Sequence, residues 1–76
     1  MIEVQQKITL VFEGNFILLN VNDIDYKIPV DVASAKLNEA SQVERDLFKI
    51  SSSGYGIHWQ LIDEDLSVEK LLKLAV

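Results

Sequence analysis

Seventy-six residues, 49% hydrophobic and 25% charged, describe one small globular domain, too apolar for disorder and without an apolar run long enough to span a bilayer. The absence of Cys excludes disulfides, thiolate zinc sites, iron–sulfur clusters and Cys nucleophiles. A net charge of −5, with seven basic residues scattered among twelve acidic ones, disfavours direct binding to nucleic acid, which needs clustered Lys and Arg to displace counterions from phosphates.

A domain this small buries only about 60% of its unfolded surface, so a protein partner or a homodimer would add stability. The N-terminal MIEVQQKITL has no basic region followed by an apolar core. It does not read as a signal peptide, and the expected location is the cytoplasm.

Residues 2 to 13 alternate, with Ile2, Val4, Gln6, Ile8, Leu10 and Phe12 on one side and Glu3, Gln5, Lys7, Thr9, Val11 and Glu13 on the other. This is a strand with one buried face. Gly14-Asn15 suits a type II′ hairpin turn, because its first central position needs a positive φ. A two-residue loop pairs Glu13 with Phe16, Phe12 with Ile17, Leu10 with Leu19 and Ile8 with Val21. Asn22-Asp23 makes a second tight turn, which pairs Val21 with Ile24, Leu19 with Tyr26 and Ile17 with Ile28. Both registers keep apolar opposite apolar, and a slip of one residue would reverse every face. The expected core surface is Ile8, Leu10, Phe12, Ile17, Leu19, Val21, Ile24, Tyr26 and Ile28. Pro29, which lacks an N–H, fits the end of an edge strand. Val11, Phe16 and Leu18 fall on the outward face, as ordinary exposed apolar residues or as a contact patch. Ile2 and Val4 overhang the second strand and are free to pair with a later strand or another chain.

Asp31 is placed to cap a helix through Val32–Asn38, with Val32, Ala35 and Leu37 inward. Ser41-Gln42-Val43-Glu44 matches a capping box, so a second helical turn is expected over Gln42–Asp46. Arg45, the only Arg, is expected to pair with a surface carboxylate rather than to clamp an anion. Leu47–Ser51 and Ile57–Trp59 read as a second hairpin around the turn Ser52–Gly56. That turn is Ser- and Gly-rich, but the spacing of a phosphate loop is absent.

Trp59 is expected in the core, with its indole N–H bonded, and His58 on the opposite face of the strand. Asp63-Glu64-Asp65 and His58 offer oxygen and nitrogen ligands, yet no full coordination shell. The acids are better accounted for by a helix start. Ser67 is the N-cap, Asp65 and Glu69 flank the positive end, and Leu66 and Leu71 are spaced for a hydrophobic staple. Val68, Leu71, Leu72 and Ala75 then form an amphipathic stripe. No catalytic, cofactor or metal site is expected. The surface left for interaction is His58, Asp63, Glu64, Val11, Phe16 and Leu18.

From Tyr26-Lys27-Ile28-Pro29 onward, the run ASQVER, FKIS, GYGIHW and IDEDLS with the closing leucines resembles the small bacterial family known as domain of unknown function 2442. The chain departs from that family's pattern at Gln60, where a Pro is usual, and over Val32–Ala35, where bulkier aromatic residues are common. The resemblance implies a compact α+β domain and no established activity. Some relatives carry an added helix-turn-helix domain, which a chain ending at Val76 is expected to lack. Others sit beside a second small family in pairs reminiscent of toxin–antitoxin modules.

The expected fold is therefore α+β: a three-stranded antiparallel meander, a helical segment, a second short hairpin or strand, and a C-terminal amphipathic helix packed on the sheet. The expected function is a non-enzymatic interaction or regulatory module, an antitoxin-like partner of another small protein. The alternatives are a homodimeric ligand-binding or assembly domain, and an acid–base or metal-dependent enzyme using His58 and the Asp63–Asp65 loop.

Overall fold

The computed structural model describes residues 7–76. The Ile2–Val4 overhang lies outside the described residues. The fold is α+β and opens with β1 (Ile8–Glu13), β2 (Phe16–Val21) and β3 (Ile24–Pro29), an antiparallel sheet in the order β1-β2-β3. Glu13 faces Phe16, Leu10 faces Leu19 and Ile8 faces Val21, and across the next turn Leu19 faces Tyr26 and Ile17 faces Ile28. The registers are those that the alternation predicts. Gly14 takes the positive φ (56°) that its turn requires. Asn22 and Asp23 both take positive φ (51° and 71°), the signature of a type I′ turn, whose twist matches that of the flanking strands.

Leu10, Ile17, Leu19, Val21 and Ile28 are buried, and Ile8, Phe12 and Tyr26 pack partly against them. Ile24 is 57% exposed and does not belong to the core. It follows directly on the turn, at the rim of the sheet.

The helix expected over Val32–Asn38 is broken into α1 (Val30–Ala33) and α2 (Ala35–Glu39). Ser34 between them is extended (φ −164°, ψ 124°), and its Oγ accepts from the Leu37 N–H at 3.1 Å as the N-cap of α2. Pro29, not Asp31, is the N-cap residue of α1. The break rotates the inward set to Val30, Ala33 and Leu37, while Val32 and Ala35 are exposed. The capping box forms as its spacing predicts, with Ser41 Oγ accepting from the Glu44 N–H and Glu44 Oε1 from the Ser41 N–H, and starts α3 (Gln42–Asp46).

A second antiparallel sheet holds β4 (Phe48–Ile50), β5 (Gly56–Trp59) and β6 (Glu64–Ser67), in that order. Sequence reading finds the first two. The third is a correction, because Glu64-Asp65 is expected in a loop leading to the last helix and instead pairs with Trp59 and His58. Ser67 ends β6 and caps α4 (Val68–Leu74), accepting from the Lys70 N–H at 3.1 Å. The inner residues of both sheets join one core with Leu37, Val68 and Leu71. Trp59 is fully buried at its centre, edge-on to Phe12 at 6.4 Å and tilted against Phe48 at 5.9 Å. Its indole N–H donates to the Arg45 carbonyl at 3.0 Å. No helix of the described residues is long and apolar enough to cross a membrane.

Candidate functional site

Two outward sheet faces carry the candidate residues. They do not form one surface, because each sheet turns its inner residues to the common core and its outer residues away from it.

On the second sheet, Lys49, His58 and Asp65 lie side by side across the three strands. His58 Nδ1 and Asp65 Oδ1 are 2.8 Å apart, and both side chains reach solvent. Asp63 belongs to the turn joining β5 to β6 and adopts a left-handed conformation (φ 49°), one that Asp tolerates better than most residues. Its carbonyl accepts from Lys36 Nζ at 3.2 Å, and its carboxylate joins the His58–Asp65 pair. One ligand atom from each of the three lies within 4.8 Å of the others.

Glu64 points elsewhere. Its Oε2 accepts from Ser34 Oγ at 2.6 Å, which ties β6 to the break between α1 and α2. Glu64 is half-buried, and its contact with Ser34 serves the fold. Asp65 likewise does not flank the start of α4 but sits in β6 against His58. The three consecutive acids thus divide, Asp63 and Asp65 meeting at His58 and Glu64 turning to Ser34, because strand alternation sends Glu64 inward and Asp65 outward.

Below His58 the outer face is hollowed into a groove of about 510 Å³, where Gly56 has no side chain and Tyr55, Ser51 and Ser67 stand around it. The Ser-rich turn spends the amides of Gly54, Tyr55 and Gly56 on its own Ser51, the Gly54 N–H donating to the Ser51 carbonyl at 2.9 Å. Ser51 Oγ already accepts from the N–H groups of Tyr55 (3.2 Å) and Gly56 (3.1 Å).

On the first sheet, Val11, Leu18 and Lys27 form one row across the strands, and Phe16 stands beside them. Val11 is 57% exposed, while Phe16 and Leu18 are half-buried. The Lys27 ammonium lies over the Phe16 ring, 4.3 Å from its centroid. The Val76 N–H donates to the Lys27 carbonyl at 2.9 Å, so the last residue lies along the edge of β3. Val11, Leu18 and Val76, with the polar Thr9, Asn20 and Lys27, line a second groove of about 420 Å³.

Arg45 belongs to neither face, and its expected pairing with a carboxylate is replaced by a set of carbonyl contacts. Its guanidinium donates to the carbonyls of Leu37 (2.9 Å), Asn38 (3.3 Å) and Gly14 (3.5 Å) and to Asn15 Oδ1 (3.3 Å), and it stands over the Phe12 ring at 5.4 Å. It pins the first hairpin turn to the end of α2. The capping-box spacing is the only sequence signal that orients it, and that spacing names no acceptors.

A family model described as "Protein of unknown function (DUF2442)" matches residues 7–76, reaching further toward the N-terminus than Tyr26, where the motif resemblance begins. No curated protein and no solved structure matches the chain at a significant level.

Proposed function

For a chain that belongs to the domain of unknown function 2442 family, we propose a non-enzymatic role as a protein-interaction module that docks a small protein partner on the outer face of the first sheet. The observation that carries this reading is the groove where apolar Val11, Leu18 and Val76 stand among the polar Thr9, Asn20, Asp25 and Lys27. Such a mixture of apolar and polar lining is ordinary for a non-obligate protein interface. Val11, 57% exposed and in line with Leu18, is the side chain that a partner would cover. The net charge of −5 favours a basic partner by electrostatic steering. An antitoxin-like protein that neutralises or regulates the product of an adjacent gene fits this description.

Co-expression of the full chain with the neighbouring gene product, followed by light scattering on the eluted species, tests the proposal. A stable complex is expected, and Val11→Glu with Leu18→Glu should abolish it while leaving the circular dichroism of the chain unchanged. Failure to form a complex, or a complex indifferent to both substitutions, overturns it. Self-association is the second reading, favoured by β1, which pairs on one side only among the described residues. A monomer mass at high concentration removes it.

A further inference from the structure

The other sheet face carries a separate chemistry. Imidazole and carboxylate together are a ligand set for first-row divalent metals. In the sequence His58, Asp63 and Asp65 are two short spacings without a recognised motif. The fold converts them into a cluster by three independent devices. The β5–β6 register sets His58 opposite Asp65. The turn brings Asp63 back over that pair through its left-handed φ of 49°. Strand alternation removes Glu64 to Ser34 and leaves the outer side to His58 and Asp65.

We propose that His58, Asp63 and Asp65 form a three-ligand site for a first-row divalent metal ion such as Zn²⁺ or Mn²⁺. The metric argument begins with the shortest pair. Metal–ligand bonds of about 2.1 Å put neighbouring ligands about 3.0 Å apart in an octahedron and about 3.4 Å apart in a tetrahedron. His58 Nδ1 and Asp65 Oδ1 stand 2.8 Å apart, near the octahedral edge. The ion takes the place of the proton between them. The widest separation in the triad is within 4.8 Å, so closing the shell requires a movement of about 1–2 Å by exposed carboxylates. Asp63 and Asp65 are exposed, so the rearrangement breaks no core packing. Two carboxylates and a neutral imidazole supply two negative charges for a dication. Lys36 Nζ contacts the Asp63 carbonyl rather than its carboxylate, which leaves the carboxylate as a ligand. Three protein ligands leave the remaining positions to water, on the side of the groove at Gly56 that His58 and Asp65 also line.

The test uses the tag-free full chain, stripped with EDTA and titrated calorimetrically with ZnCl₂ and separately with MnCl₂ in a non-coordinating buffer. Saturable one-to-one binding below millimolar metal is expected. It should weaken by at least about tenfold in His58→Ala and in Asp63→Asn, as loss of a ligand cannot cost less than loss of its supporting shell. Circular dichroism of each variant verifies the fold. His58 is the only His, so its ring gives a single assigned set of resonances. Mn²⁺ should broaden that set together with the amides of residues 63–65. No binding below millimolar metal, equal binding in both variants, or broadening centred on other residues overturns the proposal.

Discussion

Single side chains in this protein do their largest work by tying together segments far apart in the chain. Arg45 is the leading case, because its planar fork reaches the Leu37 and Asn38 carbonyls and Asn15 Oδ1 at once. A Lys at the same place keeps the charge and loses the geometry. Arg45→Lys is therefore expected to cost about 1–3 kcal/mol in urea unfolding, with no change in the slope of the transition. Ser34 is the second case. Its Oγ accepts from the Leu37 N–H and donates to Glu64 Oε2, and it is the one buried polar residue of the described chain. Ser34→Ala should cost about 1–3 kcal/mol, since it removes an N-cap and leaves a half-buried carboxylate short of one donor. Glu64→Gln made in the Ser34→Ala background should then cost less than it does in the native chain, and a double-mutant cycle measures the difference. Neither role is legible in the sequence. Arg and Ser are common on surfaces, and their acceptors come from residues far along the chain.

Elements are legible where a local rule is strong. Both turns of the first meander and both of its registers follow from alternation and from Gly14-Asn15 and Asn22-Asp23. Asp23 still carries a cost, because a non-Gly residue at φ 71° is strained. Asp23→Gly creates Asn-Gly, the preferred type I′ pair, and should stabilise the protein by up to about 1 kcal/mol, read as a rise in thermal midpoint. β6 is the element that local rules miss. Glu and Asp are depleted in strands, and Leu66 is its only apolar residue. The signal in the sequence is a weak one, an acidic residue placed to pair across from His58 after a return loop. The helix break at Ser34 is missed for a related reason. Val30–Glu39 has the propensity of one short helix, and the buried Ser34 bond to Glu64 redirects it.

At the scale of the whole molecule, two small sheets share a single core, and neither has enough apolar surface to stand alone. Trp59 joins them, touching Phe12 of the first sheet and Phe48 of the second. Unfolding should therefore be one cooperative event. Tryptophan fluorescence, which reports Trp59 alone, and far-ultraviolet circular dichroism, which reports both sheets, should give coincident transitions in urea. Separated midpoints would show that the sheets melt independently. The same arrangement puts the two outer faces on different sides of the core, so the apolar groove at Val11 and the triad at His58 are open to separate tests. Val11→Glu should leave metal binding intact, and Asp63→Asn should leave partner binding intact.

The sequence by itself determined the meander, its registers, the capping box, the burial of Trp59 and the start of α4 at Ser67. The turns, registers and caps rest on interactions between residues close in the chain or on a strict period, while the burial of Trp59 follows from the size of its apolar ring, although its partners Phe12 and Arg45 are distant. The family membership was likewise carried by the order of short motifs. Only the tertiary structure decided what the acids do. Asp63, Glu64 and Asp65 are three adjacent carboxylates in sequence, equivalent by composition. Pairing with β5 gave them different neighbours: Lys36 and the His58 pair, Ser34, and His58 itself. A side chain's chemistry is set by the groups that surround it, and those groups arrive from residues 34, 36 and 58 only when the chain has folded.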